Sequence, residues 1–492
     1  MKRLMILHMT FLIVLVSSPA RGDARTFIET YLCKARQEDR RDSIQVVARR
    51  EVKMKLLERL GSYLAGVPEI QKFHLGRDQI MALTACIVKM KITDERWDGL
   101  SYHMGAEVSI ESNGMVESME ILQRNALEKT DLERISSLSR QQLVENRRWY
   151  KVLQMTTGEN KARQQDAYDE TIRVLKAIDY FERGFASQNS GNSKDAISAY
   201  DTAIGSYRKF SEAYNHRGAV YYSSGEYHQA IRDYDRAVNL FPDYTDAYNN
   251  RGNAFSALGN YGEAIASYDK AISLFSLNSE AYNNRGTAYM LLGDYKRAAV
   301  DFAAAIQINP HDTGAYNNQG NAYNAMGDYR QAIASYSKAI AIDPGDAEVY
   351  NNRGDAYEKL GDFKRAIGDF DMAARINPAN AEAYYKRGHS YSSLRYSDLA
   401  IRDYDQAIQI IPIYTAAYIG RGIVYDNLGN FERAIRDYDK AIQINPYLAE
   451  AYFNRGLAYK KLGRKQAIED FKSAAKLGSK EAGNILRSQN LK

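Results

Sequence analysis

The sequence predicts a mainly α protein: a helical solenoid preceded by a small α+β domain and a helical connector. Three observations predict it. Tyrosine is in excess, 38 against 15 Phe and 2 Trp, which points to one recurring position rather than to a generally aromatic chain. Tyr180, Tyr214, Tyr248, Tyr282, Tyr316, Tyr350, Tyr384, Tyr418 and Tyr452 fall at intervals of 34 residues. Each is followed four residues later by a glycine, from Gly184 through Gly252 and Gly320 to Gly456. A fixed period of this size signals stacked units that bury their apolar faces only against one another. Of the 492 residues, 45% are hydrophobic and 26% charged, which excludes a disordered chain and a polytopic membrane protein. The formal net charge of only +5 offers no basic field for nucleic acid.

The elements follow in chain order. Residues 1–24 carry Lys2 and Arg3, the apolar stretch Leu4–Val16, then small residues at Ser18, Ala20, Gly22 and Ala24. That is the layout of a cleaved secretory signal peptide, and the apolar stretch is too short to span a bilayer. The mature chain is expected to be exported, periplasmic in the first instance, with secretion or envelope association as alternatives, and with no membrane span. Cys33 and Cys86 are the two cysteines. In an exported protein they either pair or stay as separately buried thiols, and their spacing does not suit a metal.

Residues 25–112 read as the α+β domain. Ile44, Val47, Val52, Leu56, Leu57 and Leu60 mark a helix from Asp42 that ends at Gly61, and a second short helix fits Arg77–Leu83. Cys86–Thr93 alternates like a strand, Trp97-Asp98-Gly99 makes a turn, and Leu100–Ile110 returns. Through Asp42–Ala48, Leu57–Gly61 and that hairpin, the domain resembles N-terminal domains of bacterial envelope proteins of the flagellar-accessory and outer-membrane-lipoprotein type. Residues 113–176 have irregular helical spacing and form the connector, with the charge-rich stretch 158–170 expected as a hinge.

Residues 177–476 hold the repeats, and 477–492 a polar capping helix and tail. Tyr282, Gly286 and Tyr289 lie on one face of a first helix. The glycine lets a second helix approach, with Ala298 and Ala305 as its small counterparts. Gly293-Asp294 breaks the chain between the helices, and Pro310 stops the second. The unit Ala247–Ile272, AYNNRGNAFSALGNYGEAIASYDKAI, resembles the tetratricopeptide repeat. The resemblance covers nine units and implies a right-handed solenoid that binds a protein or an extended peptide. It departs at Ser187 and Ser276, and at a residue lost after Gly463.

In such arrays the first helices line the concave groove. Here they carry Asn249-Asn250, Asn283-Asn284, Asn317-Asn318 and Asn351-Asn352, with Asn253, Asn321 and Asn324 one turn on. Asparagine is a poor helix former, and its amide both donates and accepts, so a ladder of them suits a peptide backbone. Asn250, Asn284, Asn318 and Asn352 serve equally well to tie neighbouring helices; the first asparagine of each pair and the three later ones are expected to face the groove. Family members that clamp a terminal carboxylate use Lys and Arg where Asn249, Asn283, Asn317 and Asn351 stand, which argues against that specificity. Arg217, Arg251, Arg285, Arg353, Arg387, Arg421 and Arg455 precede the glycines and are expected to pair with the Asp-Tyr-Asp motifs of second helices, such as Asp403-Tyr404-Asp405.

No nucleotide, metalloprotease or nucleophile-elbow motif occurs, and the lone histidines lack ligand spacing. The reading is a non-enzymatic scaffold without a cofactor, working within a cell-envelope assembly. The alternatives are a self-assembling structural solenoid and an accessory protein of envelope glycan processing or secretion.

Overall fold

The computed structural model describes residues 24–34, 40–65, 80, 84, 90–98, 101–111, 126–156 and 160–488. The signal segment, the helix at 77–83 apart from Ile80, Cys86 and the side chain of Cys33 lie outside the described residues. Contacts divide the chain into two compact units, 1–274 and 275–492.

The first unit opens with a sheet of β1 (Ala24–Lys34), β2 (Lys91–Trp97) and β3 (Ser101–Glu111), ordered β1-β3-β2 and antiparallel throughout. β2 begins within the stretch 86–93 expected to alternate and runs four residues past its end, to Trp97. β1 was not legible. Between Phe27 and Tyr31, which pack on the core, Glu29 is buried at 3% exposure, and this charge breaks the apolar alternation of the inward face. Arg59 answers it with an ion pair at 2.9 Å.

Helix α1 (Arg41–Leu64) is apolar on two sides. Ile44, Ala48, Val52, Leu56 and Leu60 cover Tyr102, Met104 and Val108 of the sheet. Val47, Met54 and Leu57 instead meet Leu143 and Leu153 of α2 (Ala126–Met155) and Ile172 and Leu175 of α3 (Asn160–Asn189). Charged groups lock the same contact: Arg50 and Lys53 reach Glu182 of α3 at 2.6 and 2.7 Å. The expected hinge at 158–170 is therefore corrected. From residue 160 the chain is one continuous helix that passes the supposed boundary at 176 and becomes the first helix of the first repeat.

Helix pairs follow. In the first unit α4 (Ser193–Ser206) pairs with the end of α3, α5 (Ser211–Ser223) with α6 (Tyr227–Leu240), and α7 (Thr245–Ala257) with α8 (Tyr261–Leu274). The second unit continues with α9 (Ser279–Leu291), α10 (Tyr295–Ile308), α11 (Thr313–Ala325), α12 (Tyr329–Ile342), α13 (Ala347–Lys359), α14 (Phe363–Ile376), α15 (Ala381–Ser393), α16 (Ser397–Ile410), α17 (Thr415–Asn427), α18 (Phe431–Ile444), α19 (Ala449–Lys461) and α20 (Gln466–Lys476), closed by α21 (Lys480–Ser488).

One turn shows why the pair closes where it does. Gly293 takes φ +79°, a left-handed conformation that costs glycine little, and ends α9. Asp294 then caps α10, its carboxylate accepting from the backbone of Arg297 at 3.1 Å. Above the turn, a Cβ on Gly320 would lie 2.4 Å from the Tyr336 ring, so only glycine admits the second helix at this distance.

Candidate functional site

The candidate site is the face made by the first helices. Within each unit successive first helices touch one another directly, α5 with α7, and α9 with α11, α13, α15, α17 and α19 in turn. They crowd together on one side, which makes that side the inner face of the stack.

Side chains on this face tie the repeats in register. Asn250 donates through Nδ2 to Asn215 Oδ1, Asn318 to Asn283 and Asn352 to Asn317, each at 3.1 Å. The second asparagine of one repeat thus bonds the first asparagine of the repeat before it. Asn249 is fully buried and Asn351 nearly so, and Asn283 and Asn284 are half-buried. Asn253 and Asn321 accept at 2.7 Å from the hydroxyls of Tyr268 and Tyr336 on second helices. The pairing belongs to these two repeats: Ala219, His389 and Ile423 stand at the same position opposite Tyr234, Tyr404 and Tyr438, and Thr287 and Asp355 opposite Phe302 and Phe370. Asn324 and Asn351 each bury an Oδ1 that has no donor.

The arginines form a second ladder, as the sequence leads one to expect. Arg387 bonds Asp403 through two nitrogens at 2.7 Å and reaches back to Asp371, one repeat earlier, at 2.8 Å. Fork-to-carboxylate pairing of this kind fixes geometry as well as adding attraction. Arg353 makes the same double bond to Asp369 and reaches Ser337. Gln319 replaces arginine where the second helix offers Ser335, and the two bond at 2.9 Å.

What sequence reasoning missed lies in the first unit, where the inner face is already covered. Leu132 and Ile135 of α2 pack against Ile178, Phe181 and Phe185 of the first repeat. Further along, Arg134 donates to Glu212 of α5 at 2.8 Å, with its guanidinium carbon 4.6 Å from the Phe241 ring centre and 4.7 Å from that of Tyr244. Asp131, 2% exposed, accepts from the Tyr244 hydroxyl and lies 3.2 Å from His216 Nε2. Burial and the Asp131 carboxylate push the Tyr244 hydroxyl well above its ordinary pKa, so it stays a donor. A signal was present in the sequence: Phe181 and Phe185 stand at positions where later repeats carry asparagines such as Asn249 and Asn253, and Ile178 where most carry an acid such as Glu280, and such an apolar face demands a cover.

Among the described residues no group of three or more His, Cys, Asp and Glu side chains is placed to hold a metal ion. Nor is any described helix long and apolar enough to cross a membrane.

Family models agree with this architecture. One described as TPR repeat matches residues 218–259, 320–361 and 427–463. Others described as tetratricopeptide repeat match 249–313, 347–380 and 381–414. Among solved structures, MamA is 33% identical, covering 33% of this chain and 96% of that one, with a TM-score of 0.32. YrrB, described as a TPR protein with an unusual peptide-binding site, is 26% identical over 38% of this chain and 97% of that one, TM-score 0.34. A tetratricopeptide repeat protein from Parabacteroides merdae is 19% identical over 51% and 98% of the two chains, TM-score 0.39. No curated protein matches the sequence.

Proposed function

Because this chain belongs to the tetratricopeptide-repeat family, with matches running from residue 218 to residue 463, we propose that it is a non-catalytic scaffold whose second unit binds a protein or extended peptide. One observation carries the reading. The inner face of the first repeats is filled by α2, whereas in the second unit no described element of that unit lies over the same face. Asn324 and Asn351 there each bury an Oδ1 without a donor, inside the fold and out of a partner's reach. Asn283 and Asn317 hold the repeats in register through Asn318 and Asn352, and Asn321 holds its own helix pair through Tyr336, while the partner lies across.

The chain is further proposed to act in the periplasm or cell envelope, with residues 25–112 docking it to an envelope assembly. The basis is the apolar leader and the resemblance of that domain.

Two experiments test this. A photocrosslinking residue at Thr287, exposed on the inner face, should capture a partner in cells, and one at Lys338, on a second helix, should not. Equal capture from both positions would overturn the groove reading. Residues 1–60 fused to a phosphatase active only outside the cytoplasm should yield activity; an inactive, full-length fusion would overturn export.

A further inference from the structure

The site where α2 docks on the second repeat has a counterpart five repeats later. Glu382 stands where Glu212 does, Tyr414 where Tyr244 does, Ile411 where Phe241 does and Lys386 where His216 does. The counterpart is open. Glu382 is 58% exposed, and Ile411 and Ile413 are exposed beside the half-buried Tyr414. The Tyr414 ring centre lies 5.2 Å from that of Tyr385, which itself lies 5.9 Å from that of Tyr404, each pair tilted, giving a continuous aromatic floor.

Here the register ladder is interrupted. Lys386 replaces the asparagine that would donate to Asn351, whose Oδ1 is left buried without a donor. Lys386 turns instead to Asp355 at 2.6 Å and Glu382 at 2.7 Å. An architectural bond has thus been exchanged for a cation beside an accessible carboxylate and an aromatic floor.

We propose that this face of the repeat formed by α15 and α16 docks a helix from a separate protein, carrying an acidic residue and, three residues later, an arginine. The template is α2, where Asp131 and Arg134 have that spacing, which places them on one face. The partner's guanidinium lies over Tyr414 against Glu382, as Arg134 lies over Tyr244 against Glu212. Its carboxylate meets Lys386 and the Tyr414 hydroxyl, as Asp131 meets His216 and the Tyr244 hydroxyl. Lys386 is cationic at neutral pH, because Asp355 and Glu382 outweigh the burial that would lower its pKa. Ile411 and Ile413 receive the apolar side of the helix. The proposal rests on the groove reading and names the chemistry of its ligand.

The test titrates a fluorescent peptide of residues 126–141, which carries the Asp131–Arg134 pair, into the full chain. Saturable binding is expected, weakened at least tenfold by Glu382→Lys in the protein or Arg134→Glu in the peptide. Combining the two changes should restore much of the loss, which a merely unfolded variant cannot do. Glu212→Gln should leave the affinity unchanged, because the chain's own α2 fills that site. Absence of binding, or binding indifferent to both charge reversals, would overturn the proposal. So would a dimer of the full chain that Glu382→Lys dissociates, since the occupant would then be a second copy. If the peptide fails while Thr287 still captures a partner, the chemistry named here falls and the groove reading stands.

Discussion

Asn318 donates through Nδ2 to the Oδ1 of Asn283, 3.1 Å away and one repeat earlier. Both are half-buried on first helices, and the same bond recurs from Asn352 to Asn317. Replacing Asn318 with alanine strands the Asn283 acceptor, which costs about 1–3 kcal/mol. Denaturant midpoints of the second unit should fall accordingly in the full chain. A midpoint unchanged within error would show that the pair does not hold the register.

The contact between α1 and α3 should be acid-sensitive in a defined window. Burial alone would raise the Glu182 pKa, but Arg50 and Lys53 outweigh it and hold the group at about 2, against an ordinary value of 4.5. A depressed carboxylate contributes its full stabilisation above 4.5 and loses it as pH falls toward 2. Glu182→Ala leaves Arg50 buried and unpaired and is expected to cost about 3–5 kcal/mol at neutral pH. Unfolding curves of wild type and variant should converge as pH is lowered through that window; a constant difference would refute the assignment.

His389 responds in the opposite sense. The hydrogen bond it donates to Glu358, at 3.1 Å, raises its pKa above 6.5, while burial and Lys359 oppose the rise. The favourable interaction is complete below 6.5 and disappears as pH climbs through the raised value. Proton NMR of the His389 ring should show a midpoint above 6.5 that drops in Glu358→Gln. Equal midpoints in the two proteins would exclude the pair.

Arg395 has φ +61° at the turn where neighbouring repeats carry Gly361 and Gly429 at +77° and +78°. A side chain in this left-handed region costs about 1–2 kcal/mol, partly offset because glycine gains freedom in the unfolded chain. Arg395→Gly should therefore raise stability by about 0.5–1 kcal/mol, seen as a higher denaturation midpoint. A lower midpoint would mean that the arginine side chain itself supports the turn.

The sequence by itself determined the helix pairs, their turns and their internal packing. Gly293, Asp294 and the Gly320–Tyr336 contact act within one repeat, and repetition exposes each requirement many times over. The Arg387–Asp403 pairing was legible for the same reason: both residues recur in fixed register. What only tertiary structure decided involves partners that no short window contains. Asn250 meets Asn215 from 35 residues away, so an amide that suits a peptide equally well is spent on the next helix. Asp131 meets His216 from 85 residues away, which places α2 across the first repeats. β1 escaped because Glu29 interrupts its apolar face, and only the return of Arg59 from α1 makes that burial tolerable. Local chemistry repeats and can be read in one dimension. Which surface covers which is set by the free energy of burial between distant segments, and that exists only once the chain has folded.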